Sequence, residues 1–112
     1  MSEPITVLLV DDHELVRRGV RAFLETQDDI VVVAEAADGE EAVRCAAEHA
    51  PDVALMDLVM PGMDGVEATR RLVASSPRTS VVMLTSYHDD EHIFPAIRAG
   101  ALSYVLKEIG PA

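Results

Sequence analysis

"VALMDLVMPGMDG", residues 53 to 65, decides how this chain is read. Its first half is an apolar run of strand length, and its second half breaks at Pro61-Gly62. Where the run ends stands a carboxylate, Asp57. A charge at the end of a buried strand is costly unless something compensates it, so Asp57 calls for a purpose.

Comparable runs recur on either side. "ITVLLV" (5–10), "IVVVAEA" (30–36), "VALM" (53–56), "VVMLT" (81–85) and "SYVLK" (103–107) are rich in β-branched residues and predict five strands. Helical stripes lie between them: Val16, Val20, Phe23 and Leu24, then Val66, Leu72 and Val73, then Ile93, Ala96 and Ile97. Strict β/α alternation with strands apolar throughout predicts an α/β fold, a parallel doubly wound sheet with helices on both faces.

The 112 residues suit one domain with a real core, and 49% hydrophobic content without low-complexity tracts or repeats excludes a disordered chain or a solenoid. No apolar run approaches a membrane span and no signal-peptide pattern opens the chain, so the expected location is cytoplasmic. Twenty Asp and Glu against nine Lys and Arg repel phosphate backbones, so neither nucleic acid nor an anionic membrane is expected to bind this domain itself. Cys45, the single cysteine, lies in an alanine-rich helical stretch and reads as a small packing residue. His13, His49, His88 and His92 read as surface positions, and no His/Cys pattern suggests zinc.

Open α/β sheets do their chemistry at the carboxyl ends of their strands. Here those ends carry Asp11-Asp12, Asp57, Thr85 and Lys107, the last being the only lysine. Each has a plainer explanation. Asp11 with Glu14 shares the D-x-x-E spacing of Asp38/Glu41 and Asp64/Glu67, a capping-box pattern, and a cap is taken as the whole role of Asp38 and Asp64. Thr85 alone is an ordinary strand-end hydroxyl. Asp57 escapes this reading because Leu-Val-Met-Pro-Gly, not a helix, follows it. Two carboxylates about 4 Å apart repel by roughly 4 kcal/mol at an effective dielectric near 20, so the cluster needs a cation. Asp11, Asp12 and Asp57 with carbonyls and waters form a hard oxygen site suited to Mg²⁺. Beside such an ion Asp57 can attack a phosphoryl group and become an aspartyl phosphate, with Lys107 pairing to carboxylate and phosphate and Thr85 bonding a phosphoryl oxygen.

"LLVDDHELVRRGV", "ALMDLVMPGMDG", "VVMLTS" and "AGALSYVLK" follow the order and spacing of the receiver domains of two-component response regulators, which the chain resembles along its whole length. The opening "DDHELVRRGV" is most similar to the NarL/FixJ (LuxR-type) class, and "IFPAIRAGALSYVLK" resembles its LiaR/VraR-like envelope-stress regulators. The resemblance implies a flavodoxin-like sheet of order 2-1-3-4-5 and a sensor histidine kinase as phosphodonor to Asp57. It further implies Mg²⁺ held by Asp11, Asp12, Asp57 and the main-chain carbonyl of Val59, and a switch through Thr85 and Tyr104. The domain is then a regulatory phosphoacceptor, not an enzyme, that assists its own phosphorylation and dephosphorylation. In the full-length protein a C-terminal helix-turn-helix is implied to bind DNA. A stand-alone receiver acting through protein contacts is the alternative.

The chain stops at Ala112, where a receiver ordinarily continues into a fifth helix, so residues 1–112 are expected to be a receiver domain truncated before that helix, without an effector. Sheet surface left bare by a missing helix is expected to be covered by a second copy or by exchange of an element between chains, and a homodimer is expected on phosphorylation. Arg17, Arg18 and Arg21 form a basic strip on which a kinase could dock, or else a solvated face in which Glu14 pairs locally. Two rivals weigh less. A flavodoxin-like cofactor binder must cradle phosphate where Asp11-Asp12 would repel it, and a haloacid-dehalogenase-like phosphatase carries its D-x-D nucleophile on the first strand.

Overall fold

The apolar runs pair side by side as parallel strands, because β-branched residues pack well on a pleated surface whose two faces are both covered. In a computed structural model that describes residues 3–57, 60, 62–85, 98–101 and 103–106, the side chains of Thr85 and of 103–106 excepted, the elements run in strict order. They are β1 (Ile5–Val10), α1 (Glu14–Leu24), β2 (Ile30–Ala36), α2 (Gly39–His49), β3 (Val53–Asp57), α3 (Gly65–Ser75), β4 (Ser80–Thr85) and β5 (Ser103–Leu106). The sheet order is β2-β1-β3-β4-β5, every pairing parallel, as the apolar runs and the resemblance together imply.

Alternation along the strands sorts their side chains onto two faces. Leu8, Val10, Ala54, Met56, Val81 and Met83 bury against α2 and α3, which contribute Ala42, Ala46, Ala68 and Leu72. Val7, Leu9 and Val32 point to the other face, where Val20 and Leu24 of α1 lie against them. Thr69 is buried on α3, and its hydroxyl reaches the Met83 sulfur at 3.5 Å and the Met56 sulfur at 3.8 Å. Cys45 is half-buried on α2, and burial pushes its thiol up, which disfavours the reactive thiolate.

The two expected Asp caps form, without the reciprocal half of a capping box: Glu41 accepts instead from the Ala37 amide at 2.7 Å, and Glu67 pairs with Arg70 and Arg71. Asp38 accepts from Glu41 N at 2.8 Å and Asp64 from Glu67 N at 3.0 Å, each satisfying an otherwise orphan amide at the start of its helix. The third does not: the N-cap of α1 is His13, which makes no side-chain cap bond. Phe23 also departs from expectation, being 67% exposed. It directly precedes Leu24, so it projects about 100° away from the face that Leu24 turns to the sheet. The expected helix around Ile93, Ala96 and Ile97 lies outside the described residues, as does everything after Leu106. No helix among the described residues is long and apolar enough to cross a membrane.

Candidate functional site

Strand order reverses between β1 and β3: the chain leaves β1 for β2 on one side and leaves β3 for β4 on the other. That switch point opens a crevice at the carboxyl ends of the two strands. Val10 pairs with Met56 in register, so the next residue of each strand, Asp11 and Asp57, falls at the same level. Both carboxylates are nearly buried, Asp11 at 3% and Asp57 at 5% exposure. Asp12 turns into the same crevice, and one donor atom from each of Asp11, Asp12, His13 and Asp57 lies within 4.8 Å of the others.

The turn that builds this cluster is local. The His13 amide donates to Asp11 Oδ1 at 2.9 Å, which folds the backbone back just before α1 begins. His13 Nδ1 then lies 3.1 Å from Asp11 Oδ1 and 3.3 Å from Asp12 Oδ1. Asp11 therefore organises the turn before α1, although its D-x-x-E spacing also fitted a cap on that helix. Among the described residues Asp12 Oδ1 is buried without a hydrogen bond. A carboxylate-rich set with such an oxygen fits a hard divalent cation.

A second layer holds the crevice from the side of α1. Arg17 donates from a guanidinium NH to the Asp11 carbonyl at 2.7 Å and from Nε to Glu35 Oε1 at 2.9 Å. Arg21 donates to the other Glu35 oxygen. Arg18 pairs with Glu14 at 2.8 Å, the local pairing weighed for α1. The expected basic strip is therefore divided, with Arg17 and Arg21 sharing Glu35 and Arg21 also pairing with Glu25. Sequence spacing on α1 alone does not reveal this, because Glu35 lies on β2; the register that sets Leu9 against Glu35 brings it near. Across the crevice Gly39 lets α2 approach the segment after Asp57: a Cβ there would stand 2.9 Å from the Met63 carbonyl oxygen.

The Arg21 hydrogen bond is the main cause holding the Glu35 carboxyl below its ordinary value of 4.5, with Arg17 adding to it and burial opposing it. A depressed folded value means that the folded state binds fewer protons. The stabilisation is therefore complete above the unfolded value and is lost as pH falls through the folded one. Glu35→Gln should accordingly melt below the parent at neutral pH, and the gap should narrow in melts taken progressively below about pH 4.5. A gap independent of pH would show that the ion pairs do not supply it.

Thr85 closes β4 one residue beyond Leu84, the partner of Asp57, and itself pairs with Leu106 of β5. Tyr104 lies in β5 opposite Met83. The structure describes these two backbones but not their side chains, and Val59 and Lys107 lie outside the described residues. His13 is exposed, as the sequence suggested, and its Nδ1 nonetheless reaches the edge of the cluster.

Comparison with known proteins gives a consistent result. The response regulator receiver domain family matches residues 7–112. The transcriptional regulatory protein LiaR of Bacillus subtilis is 57% identical over 103 residues, covering 92% of this chain and 49% of that protein. The response regulator protein VraR of Staphylococcus aureus is 52% identical over 103 residues, again covering 92% and 49%. The chain thus spans about half the length of the curated relatives it matches. Among solved structures, the signal receiver domain of the putative response regulator NarL from Mycobacterium tuberculosis superposes with a TM-score of 0.88 at 35% identity, over 97% of this chain and 88% of that one.

Proposed function

This chain belongs to the response regulator receiver domain family, and from that premise we propose that it is a phosphorylation-dependent switch whose phosphoacceptor is Asp57. The observation that carries the reading is the convergence of Asp11, Asp12 and Asp57 at the switch point between β1 and β3. Three carboxylates there serve neither the cradling of an anionic cofactor nor the filling of a core.

In the proposed step the Asp57 carboxylate directs a lone pair at the phosphorus of a phosphohistidine on a sensor histidine kinase. A P–O bond forms to Asp57, the P–N bond breaks, and its electron pair stays with the donor imidazole, which takes up a proton. Asp11 and Asp12, together with Asp57 and the Val59 carbonyl, would hold Mg²⁺, whose chemistry when bound is to neutralise charge on the phosphoryl oxygens. Arg17 keeps the Asp11 main chain in place by its bond to the carbonyl. Lys107 pairs with the phosphoryl group, while Thr85 bonds one of its oxygens and relays its presence to Tyr104. The domain is regulatory, governing its own phosphorylation and dephosphorylation without turning over a separate substrate.

Two relatives bear the names transcriptional regulatory protein and response regulator protein, and each is about twice as long as this chain. We therefore assign the output to transcription, through a C-terminal helix-turn-helix of a longer protein, with homodimerisation on phosphorylation and a cytoplasmic site of action. The test of the site is fluoroberyllate, a tetrahedral mimic of a carboxylate-bound phosphoryl group. With Mg²⁺ present, ¹⁹F spectra should show a bound species that disappears on chelation and is never formed by Asp57→Asn. A bound species persisting in that variant would place the acceptor elsewhere.

A further inference from the structure

Consecutive residues of β2 hold the main chain of Asp11 from both sides. The Asp11 amide donates to the Ala36 carbonyl at 3.1 Å. On its other side the Asp11 carbonyl accepts at 2.7 Å from Arg17, whose Nε is anchored by Glu35 at 2.9 Å. Arg21 engages the second oxygen of Glu35 and so steadies the anchor itself. The Arg17 side chain is only 15% exposed and lines, with Leu9, Val20 and Leu55, a small gap between α1 and the sheet, so its guanidinium has little room to leave. The Asp11 carbonyl and the Asp12 amide belong to one planar peptide unit, and fixing the carbonyl fixes the direction in which the chain enters Asp12. Asp12 Oδ1, beside the exposed His13 ring at 3.3 Å, is buried without a hydrogen bond among the described residues, so its placement falls mainly to the backbone.

We infer that Arg17, anchored by Glu35, is a positioning residue of the cation site, acting through the Asp11–Asp12 peptide to set the Asp12 carboxylate. This role rests on the cation site proposed above and adds what sets its geometry. A rigid guanidinium fork reaches a carbonyl and a carboxylate at once, which the single ammonium of a lysine does less well. Charge and positioning predict opposite signs for the loss of Arg17. As a nearby positive charge it repels a cation, so its removal would tighten Mg²⁺ binding. As the support of a ligand it builds the site, so its removal weakens Mg²⁺ binding.

Calorimetric titration of the intact chain with Mg²⁺ provides the test, with a thermal melt in chelator to establish that each variant is folded. Arg17→Met keeps an apolar stem without donors and should bind Mg²⁺ about tenfold more weakly than the parent. Glu35→Gln keeps an acceptor but gives up the charge that anchors the guanidinium, and should lose about threefold; it carries the test should Arg17→Met not fold. In an Asp12→Ala background either change should alter Mg²⁺ affinity by less than about twofold, because the ligand being positioned is gone. Unchanged or tighter Mg²⁺ binding in either folded variant, or a loss in the Asp12→Ala background as large as in the parent, would overturn the positioning role and leave the cation site standing. Failure of the parent to bind Mg²⁺ at all would overturn the cation site, and this role with it.

Discussion

Asp12→Ala should bind Mg²⁺ at least about tenfold more weakly than the parent, and its phosphorylation should slow in step, while its melting temperature holds or rises. The two outcomes have one cause. Asp12 brings a third negative charge beside the nearly buried Asp11 and Asp57, and its Oδ1 is buried without a hydrogen bond among the described residues. In the proposed site, removing it would delete a direct ligand and relieve repulsion between like charges. Calorimetric titration with Mg²⁺ and a thermal melt in chelator read the two effects separately. Unchanged Mg²⁺ affinity would remove Asp12 from the metal site, and a large loss of stability would mean that it holds the fold.

Leu72→Ala should have the opposite profile. Leu72 is fully buried on α3, within the apolar cluster that includes Met56 and Met83. Truncating it removes apolar contact and leaves a cavity among strands that are hydrogen-bonded into the sheet and cannot collapse freely, at a cost of about 2–5 kcal/mol. For a small domain that is a large share of the total, so the urea midpoint should fall steeply with little change in slope. A loss below about 1 kcal/mol would mean that the α3 face repacks around the gap, contrary to a close-packed core.

Strand runs and helix stripes were legible because the local pattern and the tertiary role agree at residues such as Val10, Met56 and Leu72. The place of Asp57 was legible too: the carboxylate that ends an apolar run stands, as expected, at the carboxyl end of β3. The caps at Asp38 and Asp64 follow from three-residue spacing, which is local information. Where distant elements meet, that information gives out. The D-x-x-E spacing at Asp11 is the same as at Asp38, yet the Asp11 carboxylate bends back to the His13 amide beside Asp57, a residue brought there by sheet register. Arg17 on α1 looked like part of an exposed basic strip, but it reaches Glu35 on β2 and the main chain of Asp11. Phe23 fitted the apolar period and is nonetheless exposed, since one residue of helical rotation separates it from the face of Leu24. His13 is exposed, as its place at a helix start suggested, and only the turn made by Asp11 brings its ring beside the carboxylates.

The central claim is that Asp57 takes a phosphoryl group in a Mg²⁺-dependent reaction. Incubation of the parent with acetyl phosphate and Mg²⁺, followed by intact mass measurement, should show a single phosphoryl adduct that is absent when Mg²⁺ is chelated and absent in Asp57→Ala. An adduct of the same yield in Asp57→Ala, or no adduct in a folded, Mg²⁺-loaded parent, would contradict the account.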